Sequence, residues 1–525
     1  MSWRTKNTNS ARSRHVKQGI VSLEGRQSVL PRGTTRLREA FVKYKFGFAA
    51  FLIPLCIRAM PEIIVGPYPV GWDTIAFYVP NTLDWAAGRL GWTALLGTAP
   101  LLYMISVPAY LLTRVNPVWI FKIMGPVLYG SMILALYRFL RLGIRWTDRM
   151  SLGCGLMTAL YFVTLRISWD LYRNMLGLTF ILLALSLLQN RTGPRKAMIS
   201  TILLLLAVAS DQLTGVLALV IVGTRLLWGV RNMDLKETAH LIRIGILPAT
   251  FFGAIVYAGQ SLGQQLVAAQ PSPPGIEGVT STLGFLVYAF LPILPLALLG
   301  IRKTRNSAMM VWMGFCTLGV LVGLMPLYGV NVSSYRWALL LDLPVCICAT
   351  LGLFRLFEIA NSEKGQTARI LARALPGVPL LFLLGAGLYI ALPAQDAMPY
   401  YAAFPGFVPT SMIQDSVPLS DMSSLREVLG WVATQIGTGD VLITHQAIYG
   451  WARAYLPPDD QIINYGYSSP LEGVAMARLG GYSGAIMIWW VNGSGWHGQP
   501  TVPEGFALKE QKGELAAYFF VGTNY

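Results

Sequence analysis

Charge is scarce in this chain. Of its 525 residues only 13% are Asp, Glu, Lys or Arg, against roughly 25% in a soluble protein. With 54% of residues hydrophobic, that scarcity excludes an ordinary soluble enzyme and a disordered chain. Cysteine is sparse too. Cys56, Cys154, Cys316, Cys346 and Cys348 all fall in apolar segments, which fits packing within helices and excludes a disulfide scaffold. The first 45 residues lack the short apolar core of a cleavable signal peptide, and no internal repeat is visible.

What the chain has is long apolar runs. Eleven segments are long enough, or nearly so, for the about 20 residues that a membrane-spanning helix needs. They are 44–64, 117–138, 150–167, 174–189, 197–210, 213–229, 242–262, 279–300, 307–328, 337–357 and 375–393. The net charge of +16 is unevenly spread: residues 1–45 hold 11 Lys and Arg against two acids, and residues 394–525 hold 5 against 11. A nucleic-acid partner is not needed to explain the basic balance, because the positive-inside rule produces it. With an inside N-terminus, the loops at 138–149, 190–196, 225–243, 302–305 and 355–373 face the cytoplasm and carry 18 of the 25 Lys and Arg in residues 46–393. Counting 93–113, with Pro100 and Pro108, as a further span would turn every later loop outward. It is therefore read as a juxtamembrane or re-entrant segment on the outer side.

The expectation is a polytopic α-helical protein of the cell membrane in three parts. Residues 1–43 form a basic cytoplasmic tail, 44–393 a transmembrane domain with a long outer loop at 65–116, and 394–525 a small extracytoplasmic α/β domain. In the last part, helical spacing at 423–436, 446–455 and 470–479 alternates with short apolar runs at 440–444, 461–464, 485–491 and 515–521, which predicts a mostly parallel three-layer fold. It contains no GxGxxG or Walker loop, so nucleotide binding is not supported. His445 ends the first of these strands, the edge at which open α/β sheets bind ligands. Sequon-like Asn331-Val-Ser and Asn492-Gly-Ser fall on the expected outer side.

The few polar residues expected on that side form a set. The first outer loop carries PVGWDTIAFYVPN, with Asp73 beside Trp72, Phe77 and Tyr78, then Asp84 and Trp85. The second carries RISWDLYRN, with Trp169, Asp170 and Arg173; SDQLTG holds Asp211; VSSYRW holds Tyr335 and Arg336. Each has a plainer reading. Asp73 and Asp211 are placed to cap helices, Asp170 and Arg173 are spaced for a helical ion pair, Arg336 for snorkelling, and the aromatics for an interfacial belt. Together, ionisable groups at membrane depth mark a functional site. A carboxylate takes a proton from a hydroxyl nucleophile, and arginine pairs with phosphate. The substrate that fits both beside lipid is a lipid-linked phosphosugar, with Asp73 activating the acceptor and Arg336 stabilising the departing phosphate.

These features resemble the glycosyltransferase C superfamily, which includes oligosaccharyltransferase catalytic subunits, protein O-mannosyltransferases and aminoarabinose transferases. The resemblance lies in an acid in the long first outer loop (GWDTIAFY), a second acid in the next outer loop (RISWDLYRN), an arginine opening a later helix (SYRW) and an outer C-terminal domain. It implies a polyprenyl-phosphate sugar donor and inversion at the anomeric carbon, with Asp73 and Asp170 as catalytic acids and Arg336 as phosphate ligand. Arg173, Asp211, Trp72, Tyr78 and Tyr335 join Arg336 as substrate-binding candidates. The second loop has one acid rather than a pair, and the first-loop motif is GWD rather than the DE of mannosyltransferases. Carboxylates suit magnesium or manganese, which makes Asp73 and Asp170 the metal candidates; no cofactor beyond such an ion is assigned. The acceptor is a glycan, lipid or protein. The alternatives are a transporter or flippase of a lipid-linked glycan, which would place charges at the midplane and show inverted repeats, and a non-catalytic envelope scaffold.

Overall fold

The computed structural model describes residues 32–188, 193–261, 276–302, 304, 306–324, 334–362, 366–393, 395, 414–457, 461–491 and 502–521. Asn331, Asn492, residues 1–31 of the basic tail and the linker at 396–411 lie outside the described residues, as does the side chain of Tyr335. Phe46 to Tyr525 form one compact unit.

The helices, in chain order, are α1 (Arg32–Ile64), α2 (Val79–Ala86), α3 (Trp92–Gly97), α4 (Leu101–Thr113), α5 (Pro117–Arg138), α6 (Asp148–Leu160), α7 (Phe162–Asp170), α8 (Tyr172–Leu188), α9 (Pro194–Ser210) and α10 (Gln212–Arg231). They continue as α11 (Leu235–Ser261), α12 (Ile276–Phe290), α13 (Leu294–Ile301), α14 (Ser307–Leu324), α15 (Ser334–Ser362), α16 (Gln366–Ile390), α17 (Met422–Gln435), α18 (Gln446–Tyr455) and α19 (Pro470–Leu479). A π-helical turn, Thr74–Tyr78, precedes α2. Among the described residues the expected apolar segments are largely helical, but eleven straight spans do not result. Among the described residues five helices are long and apolar enough to cross a membrane, or seven if two bent pairs are each one span.

Both bends have local causes. α6 and α7 meet at 66° because Tyr161 leaves the helical region (ψ 128). Its hydroxyl donates to the Ala289 carbonyl, and one turn later Thr164 donates to the buried Asp342 of α15. α12 and α13 meet at 77° around Pro292 and Pro295, which disfavour helical backbone in the residues before them. The segment at 93–113 divides at Ala99 (φ 59) and Pro100. Its longer part, α4, has 13 residues, short of the about 20 needed for a full span.

The C-terminal part is a five-stranded sheet in the order β2-β1-β3-β5-β4, built from β1 (Asp440–His445), β2 (Ile462–Gly466), β3 (Gly484–Trp490), β4 (Phe506–Lys512) and β5 (Leu515–Phe520). β1 pairs in parallel with β2 and β3, but β5 pairs antiparallel with both β3 and β4. The sheet is therefore mixed, not mostly parallel. The strand absent from the sequence reading is β4, whose FALKEQK has three charged residues in seven and none buried, as suits an edge that must not recruit another strand.

α18 joins this domain to the first loop. Gly450 lies against the backbone of Ile75 and Ala76, so closely that a Cβ would overlap the Ile75 carbonyl. Trp451 packs on Tyr68 at 6.1 Å between centroids, Arg453 pairs with Asp84, and Asn116 Nδ2 donates to the Ala454 carbonyl at 2.9 Å. Asp84 thus serves docking. Gly450→Val should destabilise the protein by about 1–3 kcal/mol, the usual cost of overpacking. Gly430→Ala in α17, where a Cβ meets open space, should stabilise by about 0.5–1 kcal/mol. Unfolding of both variants in mixed micelles measures the contrast.

Candidate active site

The loop after α1 is laced to the end of α7. Gly71 has φ +101, a region costly for side-chain-bearing residues, and a Cβ there would overlap the Trp169 carbonyl and the Asp170 carboxylate. Its N–H donates to the Gln414 carbonyl at 2.6 Å. Two residues on, the Asp73 N–H donates to Asp170 Oδ1 at 2.9 Å, and the Thr74 hydroxyl lies 3.5 Å from the Trp169 carbonyl. The two acids, 97 positions apart in the chain, are directly joined.

Asp170 is fully buried, and its Oδ2 has no hydrogen-bond partner among the described residues. It is the last residue of α7; at Leu171 (φ −88, ψ 57) the chain breaks before α8. The break removes the helical geometry that would have paired Asp170 with Arg173, and no such ion pair forms. Arg173 Nε instead lies 3.4 Å from the Ser210 carbonyl, and its charge acts on Asp73. Arg336 stands in the first turn of α15, partly exposed. Burial pushes the Asp73 carboxyl up to about 6, while Arg336 first and Arg173 second pull it down. Asp73, Asp170, Arg173 and Arg336 are thus one constellation.

Other candidates are placed differently. Asp211 caps α10: its Oδ2 accepts from the Thr214 N–H at 3.0 Å and from Asn174 Nδ2 at 2.9 Å. Its plainer reading is the observed one, and it ties α8 to the α9–α10 break. Trp72 and Tyr78 are 3% and 4% exposed, which leaves neither a free face for a sugar. Tyr78 stacks on Tyr172 at 5.5 Å and borders Phe121 at 5.8 Å. Trp169 is buried with Arg166 over its ring at 4.0 Å. His445 is buried and caps α18, with Nδ1 accepting from the Ala447 N–H at 3.1 Å. Burial pulls its pKa down to about 4, so it is neutral at pH 7.

The sequence reading missed the support beneath this set. Glu62 bridges Arg58 and Lys122, each at 2.8 Å, and all three are buried. Arg58 Nε donates to the Ser168 carbonyl at 3.0 Å and its Nη2 to the Tyr172 hydroxyl at 3.1 Å, gripping the chain on both sides of Asp170. Lys122 Nζ donates to the Tyr68 carbonyl at 2.6 Å, fixing the start of the loop. Asp415, fully buried, accepts from the Ser416 N–H at 2.6 Å; burial holds its carboxyl well above the usual range. The signal was present: Arg58 and Glu62 lie four apart inside an apolar span, and opposite charges at that spacing face each other.

Among the described residues no group of three or more His, Cys, Asp or Glu side chains could hold a metal ion. Asp73 and Asp170 supply two carboxylates at most, and Asp170 Oδ1 already accepts the Asp73 N–H. Magnesium is commonly held by one or two carboxylates, with waters and substrate phosphates completing an octahedron, so Asp73 and the remaining Asp170 oxygen would be the carboxylate ligands available to it here.

Glu62→Gln should leave two buried cations without their shared carboxylate. Breaking a buried pair costs about 3–5 kcal/mol, and unfolding in mixed micelles should show a loss of that order. A loss below about 1 kcal/mol, typical of exposed pairs, would mean that the cluster does not support the loop.

No family model matches the chain, and no curated protein matches it. Its fold does have solved counterparts. The structure of ArnT from Cupriavidus metallidurans bound to undecaprenyl phosphate superposes with a TM-score of 0.51 at 11% identity, covering 94% of this chain and 99% of that one. The apo structure of the same protein gives a TM-score of 0.51 at 12% identity, over 93% and 98%. Helical membrane part and small sheet domain together, this chain has the ArnT fold, as the resemblance to the glycosyltransferase C superfamily implied.

Proposed function

We propose that this protein is an integral-membrane glycosyltransferase that moves a sugar from a polyprenyl-phosphate donor to an acceptor at the outer face of the membrane. The observation that carries the reading is Asp73, a carboxylate tuned by burial and two arginines and fixed through its own N–H to a buried second acid. The ArnT counterpart bound to undecaprenyl phosphate supports the choice of lipid.

In this reading Arg336, with Arg173 beside it, binds the donor phosphate. Asp73 accepts the proton of the acceptor hydroxyl or amine as that group attacks the anomeric carbon from the side opposite the phosphate. The bond between the anomeric carbon and the phosphate oxygen breaks, its electron pair leaves with polyprenyl phosphate, and the configuration inverts. Charge grows on the departing phosphate, where a fixed cation stabilises the transition state more than the ground state. Asp170 positions Asp73 and takes no proton in this scheme.

Purified protein in nanodiscs, supplied with radiolabelled polyprenyl-phosphate sugars, tests the reading. Asp73→Asn should lower sugar transfer or donor hydrolysis by about 10²–10⁴-fold, the range for loss of a general base, and Arg336→Ala should abolish most of it. Turnover equal to wild type in both variants would remove the site assignment; lipid-linked sugar crossing a vesicle bilayer without cleavage would favour a flippase.

A base must be ionised to act. With Asp73 near 6, kcat/KM should fall about tenfold per pH unit below that value and level off above it. Arg173→Gln removes a cation that holds the pKa down, so its inflection should move to higher pH. An inflection that stays in place, or moves lower, would separate the profile from Asp73.

A further inference from the structure

Asp342 is a fully buried acid in α15, six residues after Arg336. The Thr164 hydroxyl of α7 donates to its Oδ2, and the Cys346 thiol donates to its Oδ1 at 3.6 Å. A carboxyl group inside a membrane helix is expensive, and groups of this kind mark function more often than packing.

The contact joins two helices that each carry one side of the candidate site. Thr164 lies six residues before Asp170 in α7, and Asp342 lies six residues after Arg336 in α15. At about 1.5 Å of rise per residue, each site residue stands about 9 Å along its helix from the Thr164–Asp342 contact. From Asp170 the path continues to Asp73 through the hydrogen bond donated by the Asp73 N–H. Two equal arms thus run from one contact. One ends at the paired acids, the other at the arginine whose charge acts on Asp73.

α15 has a weak point just beyond Asp342. Pro344 stands inside the helix, where a proline has no N–H for the carbonyl four residues earlier. That carbonyl, of Leu340, is taken instead by Trp312 Nε1 of α14 at 2.9 Å. Beyond the proline the backbone is wedged against α13: a Cβ on Gly300 would overlap the Cys348 carbonyl, and one on Gly352 the Leu296 carbonyl. Before the proline, the Trp337 ring lies against Gly319 of α14 and edge-on to Phe315 at 5.2 Å. α14 therefore braces the first turns of α15, and the Asp342 carboxyl ties them to α7.

We propose that Asp342 is a positioning residue: by holding Thr164 it fixes where α15 stands along α7, and so where the Arg336 guanidinium meets the donor phosphate relative to Asp73. The proposal rests on the reading of Arg336 as phosphate ligand and goes beyond it. Without the contact, the first turns of α15 are free to tilt about Pro344. Arg336 then loses the fixed placement that makes a cation effective against growing charge. A displacement of about 1 Å is enough to cost on the order of 10²-fold in rate.

The test is a double-mutant cycle on full-length protein in detergent micelles, titrated with undecaprenyl phosphate and read by native mass spectrometry. Thr164→Val, which keeps the shape and removes the donor, should weaken binding about tenfold, the change that about 1.4 kcal/mol produces. Asp342→Leu should do the same. Asp342→Asn, which keeps an acceptor for Thr164, should bind within about twofold of wild type, and thermal melts verify that the variants fold. In an Arg336→Ala background Thr164→Val should cost nothing more, since residues that act through one another are not additive. A general loosening of the fold would cost the same in both backgrounds. The proposal is overturned if Thr164→Val binds as wild type does, if its loss is undiminished beside Arg336→Ala, or if Asp342→Asn binds as weakly as Asp342→Leu. Arg336→Ala alone separates the failures. Weakened binding there with Thr164→Val unaffected removes only the positioning role, while binding equal to wild type removes Arg336 as phosphate ligand and the positioning role with it.

Discussion

The hydrogen bond from the Asp73 N–H to Asp170 Oδ1 is the constraint around which the site is arranged. A carboxylate buried completely is costly unless something satisfies it. Here one backbone N–H satisfies one of its two oxygens, and that N–H belongs to the other acid. The loop cannot shift without leaving Asp170 Oδ1 an unmet acceptor, and α7 cannot shift without releasing Asp73. Gly71 makes the approach possible, since no side chain fits between it and the Trp169 carbonyl.

The joint is clamped from two directions. From below, Glu62 and its two cations hold the loop at Tyr68 and the helix break at Ser168 and Tyr172. From the sheet domain, α18 presses Gly450 onto the π-helical turn. Such a buried ionic cluster is weak evidence for stability in itself, because desolvation offsets much of its attraction. Its consequence is geometric: few arrangements satisfy all of its donors, so the acids it flanks are held in one of them. Preorganised charge of this kind is what a site needs if it is to stabilise charge developing on a substrate.

Much of this was legible in the sequence. Apolar length located the helical segments but not the number of spans, and in the last domain turn residues and short apolar runs located three helices and four of the five described strands. The bends escaped because hydropathy cannot distinguish one span from two half-spans; Tyr161 breaks the helix through a tertiary bond to Ala289 that no local pattern announces. β4 escaped because an exposed edge strand need not be apolar. Of the candidate site, Asp73, Asp170, Arg173 and Arg336 stood out because charge is rare in such a chain, and the structure brings them together. Asp211, Trp72 and Tyr78 were read toward substrate, whereas the structure uses them to cap and to pack; composition does not distinguish an aromatic that faces a ligand from one that faces a helix. Arg58, Glu62 and Lys122 were passed over as interior residues of apolar spans, although an ion pair spaced by four at membrane depth was the clearest available sign of a buried network.

The central claim is that the two arginines beside Asp73 bind the phosphate of a polyprenyl lipid. A cryo-EM map of the protein in nanodiscs with undecaprenyl phosphate tests this most directly. The account predicts phosphate density in hydrogen-bonding contact with the Arg336 guanidinium, with Arg173 beside it and the Asp73 carboxylate facing the same space. Ordered phosphate held elsewhere on the protein, with Arg336 turned away from it, would contradict it.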